Sequence, residues 1–289
     1  MRRVLSFILV LGYLQGIYVV ANSQVTTVKT IIAGKPTAII GAMETELELL
    51  KSRLTGKQEI TIEGILFFSG QLNNREVVIT RSGIGKVNAA IITTILLEHF
   101  KPTHVLFSGI AGGLKPGLAP GDVVIATKVA YHDYGRKLPD SFETWATRNP
   151  YDLTYNPTYF PCDSVLLLLS KTAVAKAQLQ AIDNHTPAAS FGIIITGDIF
   201  LSDSIAGSQL RNRTGADAVE MEGAAVAQVC FQRKTPFLII RSLSDNANHS
   251  AILDFTKYGK RAAENSAELI MQLLKLLKQL AIFTWCHLK

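Results

Sequence analysis

Cysteine is scarce in this chain, and the little there is forms no pattern. Among 289 residues there are three, Cys162, Cys230 and Cys286, widely separated and without a C-x-x-C. That excludes the spacings of a zinc ribbon or a thioredoxin-like redox motif. The odd count leaves at least one thiol free, and Cys230, within an Ala-rich helical run, reads as a buried apolar residue. Six histidines show no metal-ligand spacing, so neither a metal nor a cofactor is expected. Internal repeats, low-complexity linkers and clustered runs of Lys or Arg are also missing. Without a basic stripe or interleaved aromatics, no nucleic-acid partner is expected.

What is present suits a globular chain. The hydrophobic fraction is 48% and the charged fraction 18%, which argues against extensive disorder. The mean hydropathy of +0.23 is raised by the first segment. Arg2 and Arg3 precede an almost wholly apolar run from Val4 to Ala21, followed by Asn22-Ser23. This reads as a signal peptide over residues 1–23, and predicts a mature domain over 24–289 that is periplasmic or secreted. The run just reaches spanning length, so an uncleaved membrane anchor is the alternative. Loss of Arg2 and Arg3 would reduce the net charge from +6 to +4.

Beyond this segment strands and helices alternate. Thr37–Ile40 is a compact apolar strand, and Leu47, Leu50 and Leu54 recur on one face of a helix beginning at Glu44. Ile60–Ile62, Ile65–Phe68 and Val77–Thr80 form a meander with Glu-Gly and Asn-Asn turns. Lys86–Phe100 is helical, and His104–Phe107 is a strand running into the Gly-rich Ser108–Gly113. A strand is expected over Asp122–Tyr131, then helix over Ser164–Leu179, strand over Ser190–Thr196 and helix over Ile205–Arg211. Val219–Cys230 starts as strand and becomes helix, Pro236–Ser242 is a buried strand, and Ile270 to Ala281 marks a closing helix. The stretch from Asp133 to Pro161 has no clean period and is expected to be a long loop over the site. The order predicts a single α/β domain, with a central mixed sheet flanked by helices on both faces.

In such sheets ligands collect beyond the carboxyl ends of strands. The polar residues found there are the carboxylates Glu46, Glu220, Glu222 and Asp245, the ring of Phe200, two Gly-rich turns and Arg241. Breaking an N-glycosidic bond needs much the same set: an acid for the leaving base, a base for water, a grip on the sugar hydroxyls and a flat shelf. Each feature also has a plain structural reading. Glu44, Glu46 and Glu48 suit the positive end of a helix dipole. Gly83-Ile84-Gly85-Lys86 hints at phosphate binding but lacks the full P-loop, and a tight strand-to-helix turn explains it as well.

Taken together and in order, these stretches resemble the 5′-methylthioadenosine/S-adenosylhomocysteine nucleosidases of the nucleoside phosphorylase superfamily. The resemblance rests on Ile40-Gly-Ala-Met-Glu-Thr-Glu46, Ser82-Gly-Ile-Gly-Lys-Val-Asn-Ala-Ala90, Ala111-Gly-Gly-Leu114, Gly121-Asp-Val-Val124, Val219-Glu-Met-Glu-Gly-Ala-Ala225 and Arg241-Ser-Leu-Ser-Asp245. It implies that Glu46 deprotonates the attacking water and that Asp245, supported by Ser244, protonates N7 of the departing adenine. It likewise implies that Glu220 is among the substrate-binding residues and that Glu222 holds the ribose hydroxyls with Met221 against the sugar. Phe200 would stack on adenine and the backbone of Leu201 would read its edge. Met43 and Ile84 would line the sugar and 5′ region, Gly112 would lie beside the substrate, and Arg241 near the water. A homodimer is implied as well.

Two departures from that pattern stand out. Ile110 occupies a position where the family often has serine, and the stretch through Pro161 is longer than expected. Two other functions compete: a purine nucleoside phosphorylase using phosphate, and a non-catalytic exported nucleoside-binding protein. The first needs cations for phosphate, and the second needs neither a water-activating base nor a buried acid.

Overall fold

The computed structural model describes residues 35–139 and 141–286, with side chains through Leu277. The expected signal segment, Met1 to Ser23, lies outside the described residues. The elements in chain order are β1 (Thr37–Gly41), α1 (Glu44–Ser52), β2 (Thr55–Ile62), β3 (Ile65–Leu72), β4 (Arg75–Arg81), α2 (Lys86–Phe100), β5 (His104–Gly113) and β6 (Val123–Tyr131). There follow β7 (Gly135–Lys137), β8 (Phe142–Thr144), β9 (Phe160–Pro161), α3 (Ser164–Lys176), β10 (Ala189–Thr196), α4 (Ser204–Thr214), β11 (Ala218–Glu220), α5 (Gly223–Gln232), β12 (Phe237–Asp245) and α6 (Ala251–Cys286).

The main sheet runs β11-β10-β6-β12-β5-β1-β4-β3-β2, with β9 beside β6. Strands β4, β1, β5 and β12 are mutually parallel, while the β2–β3–β4 meander and the β12–β6 pair are antiparallel. Every residue of β1 and β12 is buried, as expected of strands covered on both faces. Five of the eight residues of the edge strand β2 are exposed in an unbroken run at its start, which fits its place at the rim. Helices α1 and α3 pack with α6, which also covers β5 and β12, whereas α2 and α5 pack together and α5 covers β6 and β10.

The far end of β5 bends to pair antiparallel with β11, Gly112 opposite Val219 and Gly113 opposite Ala218. This closes β5, β12, β6, β10 and β11 into a ring. Two expectations change as a result. The Gly-rich Ser108–Gly113 continues β5 instead of ending it, and β12 runs past Ser242 to Asp245. The physical reason is pairing, since each extension finds its ladder partner in the other. The Asp133–Pro161 segment also differs from a loop over the site. It forms the β7–β8 hairpin, contributes β9, and lies against the end of α5 around Phe231 and Lys234.

Candidate active site

The carboxyl ends of β1, β5, β11 and β12 converge on a cavity of about 380 Å³, within the range of small-molecule sites. Met43, Glu46, Ile84, Gly112, Phe200, Leu201, Glu220, Met221, Glu222, Ser244 and Asp245 all line it. Of the residues expected from sequence, Arg241 alone stands behind the wall. No residue of Asp133–Pro161 borders the cavity among those described.

Glu46 lies in the first turn of α1, the third residue of that helix. One oxygen accepts from the backbone N–H groups of Ala42 (2.6 Å) and Met43 (2.9 Å), the other from that of Ile110 (2.9 Å). The carboxylate therefore caps its own helix and also bridges β1 to β5. Glu44 and Glu48 on the same helix are exposed, while Glu46 is buried. Burial pushes the Glu46 carboxyl above the usual carboxylate range, opposed by the Arg241 charge and the three N–H donors.

Arg241 is wholly buried on β12, stacked 4.0 Å over the Phe107 ring. Its Nη2 donates to Glu220 at 2.5 Å and lies 3.6 Å from Glu222. Burial alone would lower its pKa, but Glu220, Glu46 and Glu222 together raise it, so it stays charged. Among the described residues its Nε and Nη1 have no hydrogen-bond partner. Nη1 and Glu46 Oε1 flank the open face of Gly109, where a Cβ would overlap the guanidinium and stand 2.5 Å from the carboxylate. Only glycine permits that approach.

Glu220 borders the cavity but spends both oxygens inside the protein. It accepts from the Thr196 hydroxyl, from the N–H groups of Glu222 and Gly223, and from Arg241. Glu222 is less committed: one oxygen accepts from the Gly85 N–H at 2.8 Å, and the other has only the distant Arg241. Burial and then the charge of Glu220 drive its carboxyl upward, against Arg241 and Gly85.

Asp245 closes β12. Its oxygens accept from the Ser244 hydroxyl (2.7 Å) and the Ala247 N–H (2.8 Å), and burial nonetheless raises its pKa. Phe200 and Phe255 form an edge-to-face pair with centroids 5.9 Å apart. Phe255 and Ile252, both on α6, are wall residues that the sequence reading did not find. Their only signal was an apolar pair spaced by three at the start of a helix recognised from its far end.

Ile110 directs its side chain toward Ala262 and Ala263 on α6, with Met43 and Phe255 packed against the group. The Glu46 anchor survives this replacement of serine because it uses the Ile110 backbone N–H.

Residues 36–275 match the phosphorylase superfamily. The chain is 42% identical over 242 residues to the 5′-methylthioadenosine/S-adenosylhomocysteine nucleosidase of Shewanella loihica, covering 82% of this chain and 97% of the relative. Among solved structures it is similar to the Neisseria meningitidis nucleosidase in complex with methylthio-immucillin-A. That likeness has 35% identity and a TM-score of 0.71, covering 84% of this chain and 99% of the other. The Colwellia psychrerythraea nucleosidase in complex with adenine is 36% identical with a TM-score of 0.71, covering 83% and 94%. The ordered motifs, the converging carboxyls and these likenesses agree: the chain belongs to the 5′-methylthioadenosine/S-adenosylhomocysteine nucleosidase family of the phosphorylase superfamily.

Proposed function

We propose that the protein hydrolyses the N-glycosidic bond of 5′-methylthioadenosine, S-adenosylhomocysteine or a nucleoside with a similar apolar 5′ group, releasing adenine. Asp245, whose carboxyl burial pushes above the usual carboxylate range, gives its proton to N7 of the departing base. Glu46 takes a proton from water, which adds to the cation-like ribosyl carbon, and Arg241 Nη1 is the buried donor beside that water. Glu222, with the freer oxygen, accepts from the ribose hydroxyls, and Met221 contacts the sugar. Glu220 holds Arg241 and the turn that carries Glu222. Phe200 stacks on adenine, the Leu201 backbone meets its edge, and Met43 and Ile84 enclose the sugar and thioether. Gly112 leaves room beside Asp245, where a Cβ would stand 2.9 Å from Oδ1.

One observation carries hydrolysis over phosphorolysis. The cavity is lined by Glu46, Glu220, Glu222 and Asp245, with no Lys or Arg among its lining residues. A phosphate anion would meet four carboxyls, and the nearby cation, Arg241, stands behind the wall with Glu220 already paired to it. A binding protein without catalysis has no use for both a base and a buried acid. The test is adenine release from methylthioadenosine by the mature protein, with and without phosphate. Equal rates and free methylthioribose are expected; a strict phosphate requirement would overturn the reading.

Two further proposals concern the setting of the enzyme. Export to the periplasm or medium is supported by Arg2, Arg3 and the apolar run to Ala21. A reporter fused after residue 40 should be active outside the inner membrane, and activity confined to the cytoplasm would refute export. A homodimer is supported by Ile84, Val87 and Ile91, which leave an apolar stripe 50–69% exposed beside the cavity. Light scattering that finds a fully active monomer would refute the dimer.

A further inference from the structure

Within the Gly83-Ile84-Gly85-Lys86 turn, Lys86 has no role in the chemistry above. We propose that Lys86 is a positioning residue for the base: its ammonium joins Asp133 to Asp198 and so latches the loop that presents Phe200. This inference rests on the proposed function, since it assigns Phe200 to adenine.

Three separate parts of the chain meet at this point. Lys86 Nζ donates to both oxygens of Asp133 at 2.7 Å and lies 3.5 Å from Asp198 Oδ2. The Lys86 N–H donates to Asp198 Oδ1 at 2.8 Å, and the Asp198 N–H donates to Asp133 Oδ2 at 2.9 Å. Asp198 is thus held at its backbone and its side chain, two residues before Phe200. Gly85 makes the approach possible: its φ is +97°, and a Cβ there would stand 3.2 Å from Asp198 Oδ1. The same glycine's N–H donates to Glu222. One turn therefore touches both the carboxylate assigned to ribose and the loop assigned to adenine.

Beyond the latch the loop is open, with Ile199 56% and Phe200 43% exposed. Fixing Asp198 lowers the conformational entropy that stacking must overcome. Partly exposed ion pairs add little to global stability, so the effect belongs in ligand affinity. The geometry also argues against a phosphate clamp, because the ammonium is already committed to two carboxylates.

The test is a double-mutant cycle on the mature protein, with adenine as the probe. Lys86→Met keeps the apolar stem and removes the charge. Adenine affinity should fall about tenfold and KM should rise, with kcat falling much less and the thermal midpoint nearly unchanged. In a Phe200→Leu background the same change should lower adenine affinity less than about twofold, because the latched ring is gone. Asp198→Ala, which also removes the acceptor of the Lys86 N–H, should lower adenine affinity at least as much as Lys86→Met, and the pair should be no worse than Asp198→Ala alone. Unchanged adenine affinity in a folded Lys86→Met would overturn the latch. So would equal losses in both backgrounds, or competitive inhibition by inorganic phosphate that depends on Lys86. If the unaltered protein neither binds nor releases adenine, the proposed function falls and the latch with it; intact adenine binding without the coupling removes the latch alone.

Discussion

The floor and the mouth of the cavity are built on opposite principles. On the floor, Glu46, Arg241 and Asp245 are buried, and each carboxyl is oriented by backbone N–H groups or a neighbouring hydroxyl. At the mouth, Ile84, Ile199, Phe200 and Ile252 are 43–62% exposed and apolar. The floor is shaped before any ligand arrives, whereas the mouth gains its burial from what it binds. Preorganised polar groups act on the transition state, and apolar contacts made on arrival act on affinity. Damage to the floor should therefore appear in turnover, and damage to the mouth in binding.

The largest expected effect breaks the floor chemically. Glu46→Gln and Asp245→Asn keep size and most hydrogen bonds but remove a base or an acid, so turnover should fall about 10²–10⁴-fold in each. Titration with an unreactive adenine nucleoside should remain near normal, because Phe200 and Glu222 are untouched. Glu222→Ala should instead weaken both binding and turnover. Near-normal turnover in either conservative variant would leave the assigned roles without support.

Next is steric damage to the floor. Gly109→Ala places a methyl group against Arg241 Nη1 and Glu46 Oε1. A loss of about 1–3 kcal/mol in denaturant unfolding is expected, as for other overpacked interiors. Stability equal to the unaltered protein would mean that the guanidinium has room to move.

Phe200→Leu tests the mouth. Base stacking on an aromatic ring is worth about 1–3 kcal/mol, so adenine affinity should fall roughly tenfold while the unfolding midpoint barely moves. A larger loss in kcat than in affinity would contradict the division between floor and mouth.

The smallest expected effect concerns pH. A carboxyl raised above its ordinary range favours the folded chain at acid pH, and that advantage is lost as pH rises through the raised value. Glu222 is such a group. Glu222→Gln should therefore match the unaltered protein's thermal midpoint near pH 5, gain on it as pH rises, and hold its full gain above about pH 8. With the proposed roles, the rate profile should have two limbs, the acid one from Glu46 and the alkaline one from Asp245, both displaced upward by burial. Both should be absent in their respective conservative variants, if residual activity can be followed.

Much of the site was legible because its residues follow apolar strands directly. Glu46 and Asp245 each lie within a few residues of a strand that reads plainly from its apolar content, and Glu222 follows the short Ala218–Glu220 strand within a motif. The plain reading of Glu46 as a helix-terminal acid does not compete with a chemical role: its carboxylate caps α1 while facing the cavity. What escaped were contacts between distant segments. Ile252 and Phe255 join the wall because α6 crosses β5 and β12, and Asp133, just past β6, meets Lys86 at the start of α2. The Asp133–Pro161 segment was misplaced for the same reason, its lack of period saying nothing about where it packs.

Local pattern by itself determined the element types, the helix over Lys86–Phe100, the buried central strands and the set of carboxyls at their ends. Period, caps and apolar runs are short-range properties that survive in a string of letters. Only the tertiary structure decided that β5 and β12 extend each other, that Glu220 is consumed by Arg241 while Glu222 keeps a freer oxygen, and that Lys86 pairs with Asp133 and Asp198. Those outcomes depend on which donors and charges lie within a few ångströms after folding, and in a low-dielectric interior such neighbours set both hydrogen bonding and ionisation.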